Sequence, residues 1–298
     1  MKKGVLAALS AYLLWGFFPI YWKSIHTVPA FEILCHRVVW SMLFLIIILS
    51  VRKHWNWLRP ALAAPKTILP FVASAFILAG NWLTYIWGVN SGHIVETSLG
   101  YFINPLVNVL LGVIFLKERL RKIQWLSIVM AFIGVLYLTF QYGQFPWIAL
   151  TLAFSFGFYG LMRKTARLSS LEGLSVEMAV LFLPALVFIS YFESQGSGSF
   201  LAGSAFTKTL LPVSGLVTSI PLLLFAYGAR NITLTTLGLL QYIAPTLQLM
   251  VGVSIYLESF PKTRIIGFTF IWLALFVYSI EGLLVAKSRK NMKPTPLK

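Results

Sequence analysis

The chain has 298 residues, 58% of them hydrophobic and only 11% charged, and its mean hydropathy is +0.83. Soluble domains carry about 25% charged residues, and apolar surface on this scale cannot all be hidden from water, so a soluble globular domain is excluded in favour of an all-α polytopic membrane protein. The net charge of +16 would suit nucleic acid, but the basic residues stand in short clusters between apolar runs. That is the pattern of the positive-inside rule, and no nucleic acid is expected.

A bilayer core takes roughly 20 apolar residues per helix, and on that measure the chain reads as ten transmembrane helices. Span one, Gly4–Trp22, follows Lys2 and Lys3. With so many later spans it is a retained helix rather than a cleaved signal. Trp15 is a candidate cavity wall, and Trp22, at the span's end, reads as an interface anchor.

Span two, Pro29–Val51, carries Glu32, His36 and Arg37 in an otherwise apolar run, together with the single cysteine, Cys35. One thiol makes no internal disulfide, and no zinc spacing occurs. Arg37 lies eight residues beyond Pro29, roughly 12 Å along the axis. A central arginine costs about 2.5–3.5 kcal/mol on insertion scales and should face the bundle interior or water. Three readings of it stand open: it binds an anionic group of a substrate, it braces carbonyls of a broken helix such as span four, or it snorkels outward. His36 shares a face with Glu32 and is either a proton carrier or a packed, hydrogen-bonded ring.

Span three, Thr67–Trp87, offers Asn81 and Tyr85 with Trp82 beside them. In span four, Val95–Leu116, Thr97, Tyr101, Asn104 and Asn108 fall at spacings that put them on one helix face. Pro105 leaves the Tyr101 carbonyl without its helical donor, which suits a cavity wall better than a lipid face. The competing reading of these polar residues is helix–helix glue. Glu96 is either a titrating or substrate-binding carboxylate or a first-turn acid favoured by the helix dipole. Glu118, at the span's end, reads as structural, and His93 as a loop residue.

Span five, Gln124–Phe140, carries no polar stripe. Span six, Pro146–Met162, lines up Thr151, Ser155 and Tyr159. Span seven, Val176–Phe192, offers only Glu177, with no basic partner. Span eight is Thr207–Gly228. Span nine, Thr235–Leu257, sets Gln241, Tyr242 and Gln248 around Pro245, a second candidate kink. Span ten is Arg264–Ala286.

Nineteen of the 24 lysines and arginines fall at the two termini and in alternate intervals such as "RKHWNWLRPALAAPK", "KERLRK" and "RKTAR"; four fall in the other set. Both termini should therefore be cytoplasmic. No interval is long enough for a soluble domain, so function must reside in the helices and short loops.

The two halves resemble each other. Setting Pro105 on Pro245 also sets Gly88 on Gly228, Gly112 on Gly252 and Glu118 on Glu258, all 140 residues apart. At an offset of 141, "ALSAYLLWGFFPI" lies over "ALTLAFSFGFYGL", with Gly16 on Gly157. Five spans per half is odd, so the second copy must enter the membrane the opposite way. The expected architecture is two inverted-topology five-helix repeats, residues 1–142 and 143–298, the second with a short basic tail. Inverted repeats are typical of secondary transporters, which bind solute near the midplane where the halves meet.

The strings "LSAYLLWGFFPIYWK", "EILCHRVVWS", "GNWLTYIWGVN", "ETSLGYFINPLVNVLLG" and "FLKER", with "AFSFGFYGLMRK" and "TLGLLQYIAPTL" in the second half, resemble the EamA family of the drug/metabolite transporter superfamily, and within it the RarD branch of predicted permeases linked by name to chloramphenicol sensitivity. The resemblance spans essentially the whole chain. It implies a ten-helix bundle in the cytoplasmic membrane that moves a small organic metabolite or drug outward by alternating access, with amphipathic or zwitterionic solutes as a reasonable class. Partners are then the solute and the lipid bilayer, with protons as a candidate coupling ion. No cofactor or metal is expected, and no oligomer is required. A passive facilitator and a non-transporting scaffold or lipid-handling protein remain as alternatives. An enzyme is not expected, since neither "HExxH" nor "GxSxG" occurs.

Overall fold

A computed structural model describes residues 2–91, 93–257 and 262–291. All regular structure among them is helical: α1 (Lys2–Gly16), α2 (Phe18–Ser24), α3 (Ala30–Val51), α4 (Leu58–Leu62), α5 (Pro65–Asn90), α6 (Ile94–Leu116), α7 (Lys122–Tyr142), α8 (Trp147–Thr165), α9 (Ser170–Ser194), α10 (Ser199–Ala202), α11 (Ala205–Asn231), α12 (Leu234–Gln241), α13 (Ile243–Ser254) and α14 (Lys262–Asn291). Glu258 lies outside the described residues.

Among the described residues, nine helical stretches are long and apolar enough to cross a bilayer. The expected sixth span, α8, has 19 residues but is less apolar. It packs against α5, α6 and α11 inside the bundle, with Tyr159 fully buried. Outward faces elsewhere are apolar, with Ile47, Phe76, Leu183, Val187 and Phe276 all exposed, as a lipid-facing surface requires.

Two spans are each broken into a pair of helices. α1 ends at Gly16 and α2 resumes with Pro19 in its first turn, where a missing N–H costs nothing. α12 and α13 meet at Tyr242, with Pro245 in the first turn of α13. α6, by contrast, runs unbroken through Pro105, so the broken helix expected at span four is found in spans one and nine. α9 starts six residues before the expected Val176, because Ser169 and Glu172 form a capping box.

The packing partners follow a two-fold pattern. α1 lies on α11 as α8 lies on α5; α3 lies on α11 as α9 lies on α5; α6 lies on α8 as α12 and α13 lie on α1. α3 pairs with α9 and α7 with α14. The closest approaches repeat as well. A Cβ added to Gly16 would sit 2.6 Å from Leu247 Cβ, and one on Gly157 would sit 2.7 Å from Val107 Cγ1. Val107 and Leu247 are 140 residues apart, like the prolines beside them.

Carboxylates tie helix ends together. Glu118 accepts from the Leu234 and Thr235 amides at 2.6 and 3.0 Å, capping α12. Glu96 accepts from the Ile148 amide at 2.7 Å, in the first turn of α8, and lies 3.9 Å from His93. Each places negative charge where a helix N-terminus offers unpaired donors. Arg230 donates to the Ala166 and Leu168 carbonyls, and Lys164 to those of Ala229 and Ile232.

Candidate functional site

A cavity of about 250 Å3 opens between the halves. Its walls come from seven of the expected spans. Trp15, Phe18, Pro19 and Trp22 line it from α1 and α2, Arg37 from α3, and Asn81, Trp82 and Tyr85 from α5. Gly100, Tyr101 and Asn104 follow from α6, Leu152 and Phe156 from α8, and Thr218 and Leu222 from α11. Gln241, Ala244, Pro245 and Gln248 complete it from α12 and α13.

Arg37 is the cavity's cation. Its guanidinium carbon lies 4.8 Å from the Trp22 ring centroid and 4.4 Å from that of Trp82, so it is held between two indoles. Its Nε–H donates to Thr218 Oγ1 at 2.9 Å. The remaining N–H groups have no protein partner among the described residues, and the side chain lines the cavity. A forked donor with open positions matches the geometry of a carboxylate. The tie to the second half thus runs to a side chain of α11, not to carbonyls of α6. Trp22, expected as an interface anchor, is a wall residue stacked on Arg37.

Backbone carbonyls hold the polar positions around it, one of them freed by a proline. Pro19 lacks the N–H that would satisfy the Trp15 carbonyl, and Gln248 Nε2 donates to that carbonyl instead, at 3.0 Å. Asn81 Nδ2 donates to the Leu152 carbonyl at 3.0 Å and to Ser155 Oγ at 2.9 Å. Asn104 Nδ2 donates to the Ala153 carbonyl at 2.5 Å. The rings of Tyr85 and Tyr101 meet edge-on at 5.9 Å. Helix glue and cavity wall are therefore the same residues seen from two sides.

The other expected site residues are placed elsewhere. Asn108 lies behind the wall, donating to Gln241 Oε1 at 3.0 Å and to Asn104 Oδ1 at 3.2 Å. Glu32 and His36 point away from the cavity. Glu32 accepts from the Ser199 amide and hydroxyl at 2.6 and 2.7 Å. His36 lies 3.8 Å from Glu32, accepts from Trp40 Nε1 at 3.2 Å, and packs on Phe200. Glu96 caps α8, as described above. Tyr242, at the α12–α13 junction, is buried in a cluster with Phe102 and Ile271. Pro105 lies in α6 between the cavity residue Asn104 and the closely packed Val107.

One turn deeper, the bundle is closed. Tyr12 on α1, Tyr159 on α8 and Phe225 on α11 are fully buried. Each stands a helical turn beyond a wall residue: Trp15, Phe156 and Leu222. Phe225 lies 6.3 Å from Tyr12, 5.1 Å from Phe156 and 6.0 Å from Tyr159, ring centre to ring centre. The cavity thus occupies one half of the bundle and ends on an aromatic floor.

Beyond that floor, Glu177 does have a basic partner. Arg163 Nη1 lies 3.5 Å from Glu177 Oε1, both side chains buried. The expectation of an unpaired acid is overturned because α8 runs on to Thr165, past the expected end at Met162. That carries Arg163 into the protein rather than into a loop.

Residues 2–140 match the EamA-like transporter family. Protein RarD of Escherichia coli K12 is 42% identical over 282 residues, 95% of each chain. The chain belongs to the EamA-like transporter family, in its RarD branch. An uncharacterised transporter of Pseudomonas aeruginosa is 43% identical, again over 95% of each chain. A crystal structure of a protein only 19% identical superposes with a TM-score of 0.72, covering 96% of this chain and 99% of that one, so the fold is shared well beyond sequence similarity. As an EamA family member with long apolar helices, the chain is an integral membrane protein of transporter type. Among the described residues no group of three or more His, Cys, Asp or Glu side chains is placed to hold a metal ion.

Proposed function

We propose that this EamA family member moves a small organic solute carrying an anionic group across the cytoplasmic membrane by alternating access. One observation carries the reading: Arg37, clamped between Trp22 and Trp82, turns its uncommitted N–H groups to the cavity. The guanidinium fork takes the anionic group, Trp15, Phe18 and Phe156 take the apolar body, and Asn81, Tyr85, Tyr101, Asn104, Gln241 and Gln248 set its orientation. The volume of about 250 Å3 lies just below the usual range of ligand pockets and limits the solute to a small molecule. The fully buried rings of Tyr12, Tyr159 and Phe225 stand one turn below the cavity wall, which favours a carrier over a passive channel.

The two repeats, residues 1–142 and 143–298, are the bodies that rock, and α8, the sixth in chain order, completes the ten spans. The two-fold packing pattern and the paired Gly16–Leu247 and Gly157–Val107 contacts support this. With both termini cytoplasmic, the cavity lies in the outer half, and this conformer is outward-facing. One chain encloses the site, so an oligomer is not required.

The test is counterflow in proteoliposomes over a library of small metabolites and drugs, weighted toward carboxylates. A saturable flux for an anionic or zwitterionic solute is expected, lost in Arg37→Ala and reduced in Arg37→Lys, which keeps charge but not the fork. Folded protein with no saturable flux for any solute would sink the reading.

A further inference from the structure

The charge of the cavity wall is one-sided. The chain has only eight acidic residues against 24 lysines and arginines, and all eight are glutamates. The seven described ones are committed outside the cavity. Glu32, Glu96 and Glu118 bind backbone amides of other segments, as given above, and Glu193 accepts from the Phe200 and Leu201 amides at 3.0 and 3.2 Å. Glu172 accepts from the Ser169 amide at 2.8 Å and pairs with His54. Glu177 pairs with Arg163, and Glu281 with Arg121. Among the described residues, Arg37 is therefore the only charged side chain in the wall.

Neutral acceptors in the wall are occupied as well. Asn108 Nδ2 donates to both Gln241 Oε1 and Asn104 Oδ1, and the Trp15 carbonyl freed by Pro19 takes Gln248 Nε2. A cationic group on a solute would thus meet Arg37 and no carboxylate. A guanidinium keeps its charge at any physiological pH, so the occupied site carries the charge of Arg37 plus that of the solute. A monovalent anion brings the sum to zero. A zwitterion such as an amino acid leaves one positive charge over, and a dianion leaves one negative charge over. Arg37 is already half-buried between its two indoles. Alternating access then passes through a state closed to water on both sides, where an uncompensated charge is costly.

The apolar part of the wall is a ladder of rings along α1 and α2. From the floor outward come Tyr12, Trp15, Phe18 and Trp22. The Tyr12 and Trp15 ring centroids are 5.7 Å apart, those of Phe18 and Trp22 5.6 Å apart, and Trp22 is the ring stacked on Arg37. A solute whose anionic group meets Arg37 lays its body along these rings toward the floor, where a flat aromatic body gains most from offset and edge-on contacts. We propose that the solute is a monovalent organic anion with an aromatic body and no cationic group, and that charge balance at Arg37 selects it over amino acids and dicarboxylates.

The inference rests on the transport reading and narrows it. Its test is equilibrium binding of labelled 3-phenylpropionate, read by scintillation proximity, to the protein in lipid nanodiscs slightly above neutral pH. Phenylalanine and benzylmalonate are the competitors. They share the skeleton of 3-phenylpropionate and differ only in an ammonium or a second carboxylate on the carbon beside its carboxylate. Saturable binding is expected, with each competitor weaker than unlabelled 3-phenylpropionate by more than about 10-fold. No saturable binding, or displacement by either competitor within that factor, overturns the inference. Gln241→Glu adds a carboxylate to the wall and keeps the oxygen that accepts from Asn108. Phenylalanine should then gain on 3-phenylpropionate by at least about 10-fold, and an unchanged ranking in the folded variant also overturns the inference. The wild-type ratios decide the matter if that variant does not fold. Counterflow of amino acids or dicarboxylates that is lost in Arg37→Ala would sink this inference and leave the transport reading standing, whereas binding with the expected ranking but no flux of any solute would do the reverse.

Discussion

Arg37 donates its Nε–H to Thr218 Oγ1 at 2.9 Å, across a separation of 181 residues. The bond joins α3 of the first half to α11 of the second along one wall of the cavity, and it aims the rest of the guanidinium. Thr218→Val keeps the shape and deletes the acceptor. A hydrogen bond of this kind contributes about 0.5–1.5 kcal/mol, so the counterflow KM should rise roughly 2- to 10-fold with little change in thermal stability. Trp82→Leu removes one indole of the clamp, worth about 0.5–2 kcal/mol, and should raise KM by a similar factor.

The glycine contacts predict paired stability effects. Gly16→Ala would press a Cβ to 2.6 Å from Leu247 Cβ. Overpacking of this sort costs about 1–3 kcal/mol and should lower Tm in detergent. Adding Leu247→Ala should restore part of the loss. Gly157→Ala with Val107→Ala should behave in the same way if the halves are equivalent.

Glu118→Ala should destabilise the protein by about 1–3 kcal/mol, since the α12 amides of Leu234 and Thr235 would lose their acceptor. Thermal unfolding measures it. Glu118→Gln, which keeps an acceptor oxygen, should fall between wild type and the alanine variant.

Glu32→Gln separates the charged patch of α3 from the cavity. The Ser199 amide and hydroxyl both donate to Glu32. Hydrogen exchange at Ser199 should quicken by about 10-fold, because a hydrogen bond to a charged group is worth about 1.5–3 kcal/mol. Counterflow should be almost unaffected, because the side chain points away from the cavity. Flux abolished in folded Glu32→Gln protein would contradict this division.

Orientation is open to cysteine labelling in a Cys35→Ala background. With an impermeant thiol reagent on intact cells, His26→Cys and Ser197→Cys should react. Asn56→Cys should react only after the cells are opened. The reverse pattern would place the termini and the cavity on the other sides.

The helices were legible because crossing a bilayer is a local demand: a long enough run of apolar residues is a span wherever it packs. α3 begins within a residue of the expected Pro29 and ends at the expected Val51. The misjudged ends have local causes too, such as the Ser169–Glu172 capping box that starts α9 early. Much of the cavity was legible for a related reason. Polar side chains that recur at helical spacing inside apolar runs must face protein, and Tyr101, Asn104, Gln241 and Gln248 do line the cavity. The same rule could not separate a wall from a layer behind it, and Asn108, on the same stripe, sits in that layer.

By itself, then, the amino-acid sequence determined the class of protein and the course of most of its helices, because hydrophobic length is a property of short stretches. Only the tertiary structure decided what each charge faces. Successive residues on a helix turn by about 100°, so Arg37 looks into the cavity while His36, its neighbour, packs on Phe200. Whether Glu177 stands alone or against Arg163 depended on how far α8 runs and which side it turns to α9. Those choices are made by contacts between helices, where close packing fixes which side chains meet.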